Sequence, residues 1–295
     1  MQPRRTARRA CLLVGLLLVT AACAVAGSPA NPAPSLTLVN KGSDTMVNLA
    51  LAWAEAYHGR RPEVNLSITG GGSGTGIAAL INRTVDLANA SRTIKPEELA
   101  QAEAQGVEPV EHIVARDAIA IVVHPHNPVD RLTLQQISNI YSGKINNWSE
   151  VGGDDRPIVR LSRETNSGTH VYFLENVLRL GDAENRTLFA TDTLLLPSSE
   201  GISAELSYNE NGIGYDGLGY VTDEVKVIAV AASPLAAYSL PSVETVNRGT
   251  YPVSRDLYIY TIGEPLEEIR AYLDWILGPE GQAIVAQLGF VPVGG

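Results

Sequence analysis

Three times in this chain of 295 residues a short apolar stretch runs into a loop of small residues and then into helical spacing. The loops are Lys41-Gly42-Ser43-Asp44-Thr45, the run Gly70 to Gly76, and Arg163-Glu164-Thr165-Asn166-Ser167-Gly168-Thr169. A strand that turns so tightly into a helix must stack that helix on its own sheet, which commits the chain to layered α/β architecture. Each loop also offers free backbone N–H groups and hydroxyls at a helix N-terminus, the chemistry that holds an oxyanion. Three such termini, far apart in sequence, point to one anion held from several sides.

The rest of the chain keeps the alternation. Leu36 to Val39 reads as a strand, Thr45 to His58 as a helix with Met46, Leu49, Ala50, Trp53 and Tyr57 on one stripe, and Val64 to Thr69 as a strand. Ile77 to Ile81 continues a helix, Val85 to Ala88 is a short strand ending at Ser91-Arg92, and Pro96 to Gln105 is helical. Ala118 to Val123 is a continuous apolar strand, as a sheet covered on both faces requires. Helices are read at Leu134 to Tyr141, His170 to Leu180 and, in two pieces, Leu266 to Leu288; strands at Ile158 to Leu161, Val225 to Val230 and Leu257 to Thr261. The glycine-punctuated run Gly212 to Tyr220 reads as close backbone turns. This order predicts α/β with mainly parallel sheets, and all three loops fall at carboxyl ends of strands, where ligands sit in such folds.

The first 22 residues stand outside that pattern. Arg4, Arg5, Arg8 and Arg9 precede an apolar run from Ala10 to Val19 and a small-residue exit, the layout of a signal peptide. Thr20-Ala-Ala-Cys23 resembles a bacterial lipobox, which makes Cys23 the candidate lipidation site; cleavage near Ala21-Ala22 without lipidation is the alternative. Residues 23–35 then form the lipidated N-terminus and a Pro- and Ala-rich tether, spanning up to about 40 Å when extended. The only cysteines are Cys11 and Cys23, so the body has neither a disulfide nor a Cys-based metal site. With the four signal arginines gone, 18 Lys and Arg remain of 22, against 32 Asp and Glu. Such a body repels nucleic acid and anionic surfaces, so any bound anion must be attracted locally.

Ser43, Ser73 and Ser167 are either helix caps or ligand donors. Arg163 and Arg92 are either surface ion-pair members or charge-assisted contacts to an anion. Asp44 is unfavourable beside an anion unless it accepts a proton from it. Monohydrogen phosphate can donate that bond and fully ionised sulfate cannot, so Asp44 is a candidate for discrimination; its alternative role is capping the following helix. Other chemistries lack their motifs. The glycine run fits neither the dinucleotide G-x-G-x-x-G nor the P-loop, and G-x-S-x-G and H-E-x-x-H are absent. His124-Pro125-His126 has no Cys or acidic cluster beside it and reads as a surface turn. No cofactor is expected.

Several ordered segments together resemble the substrate-binding proteins of bacterial phosphate ABC transporters. They are Gly42-Ser-Asp-Thr-Met46, Gly70–Gly76 with Ile77-Ala-Ala-Leu80, Val85 to Arg92, Ile140 to Trp148, Ser167-Gly-Thr169, Gly212-Ile-Gly-Tyr215, Gly278-Pro-Glu-Gly-Gln282 and Leu288 to Pro292. The resemblance implies a type II periplasmic-binding-protein fold, two α/β lobes joined by two crossing strands. Lobe I would comprise 36–118 and 230–295 and lobe II 119–229, with crossings near Ala118–Val123 and Val225–Val230. It implies a phosphate-binding set of Ser43, Asp44, Thr45, Ser73, Gly74, Thr75, Arg92, Arg163, Ser167, Gly168 and Thr169. Some members place an aspartate after the Ala-Ser of the fourth strand to accept the phosphate proton; Arg92 stands there instead, and Asp44, or Glu164, takes that role. The implied protein is no enzyme: a monomeric extracytoplasmic receptor that delivers inorganic phosphate to permease subunits, touches the membrane only through its lipid anchor and binds no nucleic acid. A binder of another oxyanion and a phosphate-handling hydrolase are the rival readings.

Overall fold

Strands and helices alternate through most of the chain. The computed structural model describes residues 36–294, so the signal peptide, Cys23 and the tether lie outside the described residues. Strand β1 (Leu36–Gly42) leads through a single 3-10 turn (Asp44–Met46) into α1 (Val47–Arg60). Then follow β2 (Val64–Thr69), α2 (Ser73–Ile81), β3 (Leu87–Ala90), α3 (Pro96–Ala104) and the long β4 (Pro109–Val123). The middle holds β5 (Arg131–Thr133), α4 (Leu134–Tyr141), β6 (Val159–Arg163), α5 (Gly168–Phe173), β7 (Leu194–Leu196), α6 (Ser199–Tyr208), β8 (Gly212–Gly217) and β9 (Lys226–Ala231). The chain closes with α7 (Val243–Asn247), β10 (Ser254–Ile262), α8 (Glu267–Leu277) and α9 (Pro279–Gln287).

The strand order is β2-β1-β3-β10-β4-β8-β6-β7, with β9 paired to β4 and β5. The sheet is mixed rather than mainly parallel. The β1–β2, β1–β3, β6–β8, β6–β7 and β5–β9 pairs are parallel, whereas β10 runs antiparallel to both β3 and β4, and β4 antiparallel to β8 and β9. The physical reason is a return of the chain: β10 comes back late and inserts between β3 and β4. The Gly212–Tyr220 run is likewise a buried strand followed by a 3-10 turn, not a set of turns. Its glycines admit α6: a Cβ on Gly212 would lie 2.6 Å from a Leu206 methyl, and one on Gly214 2.7 Å from an Ile202 methyl.

Helices cover both faces at each end of the sheet. At one end α1, α8 and α9 bury Leu49, Trp53, Tyr57, Tyr272, Ile276 and Val285 against Leu38, Leu87, Leu257 and Ile259, while α2 and α3 cover the other face through Ile77, Leu80 and Ala102. Trp53, fully buried on the stripe read from the sequence, also donates its indole N–H to the Gly281 carbonyl at 2.9 Å. Truncating such a side chain to Ala costs about 3–5 kcal/mol. At the other end Ile137, Tyr141, Phe173, Tyr215 and Ile228 form a second core, with Phe173 stacked on Tyr215 at 3.7 Å between centroids.

Two strands pass between these cores. On β4, Val114 and Ala115 belong to the first core and Ala118 and Ile119 to the second. Tyr220 packs in the first core, β9 then lies with the second through Ile228 and Val230, as do Val246, Tyr251 and Val253, and from Leu257 of β10 the chain is back with the first.

Candidate anion-binding site

The loops that follow β1, β2 and β6 meet above the point where β4 and β10 run side by side. Glycine makes the approach possible. Gly72 sits at φ +89°, and a Cβ there would lie 2.7 Å from the Asn166 carbonyl oxygen; one on Gly76 would lie 2.5 Å from the Lys41 carbonyl oxygen. The second and third loops are stitched together by Gly74 N–H to the Asn166 carbonyl at 3.1 Å and by the Asn166 amide to the Gly71 carbonyl at 3.0 Å.

Inside the loops lies a ring of buried hydroxyls. Ser43 Oγ donates to Ser91 Oγ at 2.9 Å, Ser73 Oγ lies 3.3 Å from Ser91 Oγ and accepts the Ser91 N–H at 3.0 Å, and Thr45 Oγ1 lies 2.9 Å from Thr169 Oγ1. All five side chains are buried. Gly168 closes the ring from the third loop, where a Cβ would fall 2.4 Å from Ser73 Oγ and 2.5 Å from Ser91 Oγ.

Only one of the three serines makes the capping bonds the sequence allowed. Ser167 caps α5, accepting the N–H groups of Thr169 and His170 at 3.2 and 3.5 Å. Ser43 and Ser73 make no side-chain cap and turn their hydroxyls on Ser91. Thr75 lies at the edge, its hydroxyl on the Gly71 carbonyl.

Charge is arranged around the ring. Arg163 is fully buried and donates to Ser199 Oγ (2.8 Å), the Pro197 carbonyl (2.9 Å) and Asp44 Oδ2 (3.0 Å). Asp44 Oδ1 accepts the Gly71 N–H at 2.9 Å, so this carboxylate ties the first loop to the second and third at once. Arg92 stands beside α2, its Nη2 3.5 Å from where a Cβ on Gly74 would lie, with a bidentate pair to Glu98 at 2.7 Å for each bond and a bond to the Thr93 carbonyl. Its charge is therefore already balanced within the first half of the chain. Glu164 is exposed.

Four participants escaped the sequence reading: Ser91, Asp117, Arg255 and Asp216. Asp117 and Arg255 face each other across β4 and β10, paired at 2.9 Å, with the carboxylate fully buried and the guanidinium nearly so. Burial pushes the Asp117 carboxyl up and the arginine opposes it. Asp216, on β8, is also fully buried; burial raises its pKa to about 7 against the opposing pull of Arg163, and its Oδ2 has no partner. One signal was present: an acidic residue at the entry to the apolar run Ala118–Val123, as at Asp117, must find a partner or stay neutral if the strand is buried. Among the described residues no group of three or more His, Cys, Asp and Glu side chains is placed to hold a metal ion, and no helix is long and apolar enough to cross a membrane.

The geometry has counterparts in known proteins. A model of the PBP superfamily domain matches residues 27–280. The phosphate-binding protein PstS of Pseudomonas aeruginosa is 36% identical over 273 residues, covering 87% of this chain and 83% of the relative. PstS of Bacillus subtilis is 29% identical over 292 residues, 96% of this chain and 92% of the relative. Among solved structures, a protein from Clostridium perfringens with bound phosphate, assigned as a phosphate ABC transporter substrate-binding protein, superposes with a TM-score of 0.77 at 34% identity, over 88% of this chain and 100% of that one.

Proposed function

Since the chain belongs to the PBP superfamily and, within it, to the substrate-binding proteins of bacterial phosphate ABC transporters, we propose that it binds inorganic phosphate outside the cytoplasm and hands it to permease subunits in the membrane. The observation that carries this reading is the meeting of three helix-opening loops around one ring of buried hydroxyls, flanked by Arg163 and Arg255. In our reading the ligand is held by Ser43, Thr45, Ser73, Gly74, Thr75, Ser167, Gly168 and Thr169, with Arg163 supplying charge. Arg92 ties the end of β3 to α3 through Glu98, beside the second loop. Asp44 accepts the phosphate proton, which gives preference over sulfate.

The two cores correspond to two lobes. We place their boundary at Ala115–Ala118 on β4 and at Val253–Leu257 entering β10, because the side chains change core there. A ligand that touches both lobes at once favours their closed arrangement. The role is binding and delivery without catalysis, by a monomer anchored through lipid on Cys23 after removal of residues 1–22.

Calorimetry on the exported protein tests the reading. Phosphate is expected to bind and sulfate to bind far more weakly, with Asp44→Asn narrowing the gap. Absence of phosphate heat, or equal affinity for both anions, refutes it.

A further inference from the structure

We infer that Arg255, braced by Asp117, is a latch that couples closure of the two halves to occupation of the anion site. The inference rests on the phosphate-binding reading above and adds to it a positioning residue that the anion loops themselves do not contain.

Arg255 and Asp117 are direct cross-strand partners at the point where both strands pass from one core to the other. A residue there moves with neither half alone. Its bonds then reach in both directions. Nη1 donates to the Ser91 carbonyl at 3.0 Å, at the end of β3, and Nη2 lies 3.3 Å from Thr45 Oγ1 in the first loop. The same Nη2 donates to Thr169 Oγ1 at 2.9 Å, on α5 beyond the third loop, and to Asp117 Oδ2 at 2.9 Å. One guanidinium thus touches two loops of one half and one of the other.

Helix α5 has a second tie to the same strand. Tyr172 follows Thr169 by three residues and so shares its face. Its hydroxyl donates to the Ser254 carbonyl at 2.7 Å, and its ring centroid lies 5.8 Å from the Arg255 guanidinium carbon. The helix that opens with Gly168 therefore docks on β10 through two side chains.

The energetics follow from burial. A buried guanidinium is costly unless its donors are matched, and Arg255 Nε has no partner even with the loops together. If α5 swings away, Thr169 and the Tyr172 ring leave with it and the mismatch grows. Closure brings Thr169 and Tyr172 to Arg255, and an anion bridging Ser73 and Gly168 keeps the loops where Arg255 needs them. Removing the guanidinium removes a preference for the closed state. It leaves intact the hydroxyls and Asp44 that distinguish one anion from another.

The test uses the full exported chain with Arg255→Lys and with the double variant Arg255→Met/Asp117→Asn, which removes both buried charges together and leaves no lone carboxylate. Phosphate and sulfate are titrated, phosphate release is timed by stopped flow, and compaction on adding phosphate is followed by small-angle scattering. The latch predicts phosphate affinity at least tenfold weaker in both variants. The loss should lie in faster release, with an unchanged phosphate-to-sulfate ratio and reduced compaction. If the double variant does not fold, Arg255→Lys decides. Variants that bind and release as the wild type does overturn the latch while the functional reading stands. So do variants that lose affinity through slower association with full compaction, since Arg255 would then act only as a local attractor. A wild type that binds no phosphate overturns the functional reading itself, and the latch with it.

Discussion

A single buried carboxyl, Asp216, gives the sharpest consequence at the scale of the residue. Burial raises its pKa from the ordinary 3.8 to about 7, with Arg163 opposing the shift. Below the ordinary value the group is protonated in folded and unfolded chains alike. As pH rises from there to about 7, the unfolded chain releases the proton and the folded chain retains it, so the wild type loses stability across that window and no further above it. Asp216→Asn removes the loss. Its melting temperature relative to wild type should therefore climb from pH 5 to pH 7 and level off above; a constant or shrinking difference would contradict the assignment. Sequence alone did not reveal this residue, because Gly212 to Tyr220 looked like turns when its glycines are there to admit α6. Ser43, Ser73 and Ser167 were legible as a set but not individually. A serine that opens a helix has the same local signature whether its hydroxyl caps the helix, as Ser167 does, or turns inward, as Ser43 does.

At the scale of the element, α5 meets the ring through a glycine, and that contact joins the third loop to the second. A methyl group on Gly168 would fall 2.4 Å from Ser73 Oγ and 2.5 Å from Ser91 Oγ, a collision that the proposed parting of the two lobes without ligand would relieve. Gly168→Ala should leave the melting temperature of the phosphate-free protein nearly unchanged and weaken phosphate binding at least tenfold, a loss of about 1.4 kcal/mol read by calorimetry. A large drop in ligand-free stability would instead mark Gly168 as a folding residue. Most elements were readable here. Leu134–Tyr141 and Val64–Thr69 match their expected limits, and α1 buries the stripe its spacing announced. Strand direction was not readable. Local alternation of strand and helix favours parallel neighbours, whereas the antiparallel seam comes from residues 254–262 pairing with segments some 140 to 170 positions earlier. Arg255 was missed for the same reason, since its partners Asp117, Ser91 and Thr169 all lie far from it in sequence.

For the whole molecule, charge and ligand have the same sign. The chain beyond residue 22 carries 32 acidic side chains against 18 basic ones, so its long-range field opposes an approaching anion. Salt screens that field over about 10 Å at 0.1 M and leaves short-range contacts largely intact. The association rate of phosphate should stay level or rise as sodium chloride increases from low to physiological concentration. A steep fall would show that the arginines steer the ligand from a distance.

The late insertion of β10 also governs how the protein comes into being. Until residues 254–262 have emerged, β3 and the first part of β4 each present a row of unpaired N–H and C=O groups, and the sheet has a gap one strand wide at its centre. The first third of the chain cannot finish its own sheet, however long it waits. It is completed by residues 254–262, through contacts of very high sequence separation, which are slow to form. A chain ending before Ser254 would carry two naked edges and a half-built core, and its natural fate would be to pair with copies of itself. The strand that fills the middle of the sheet is therefore the one on which productive folding turns.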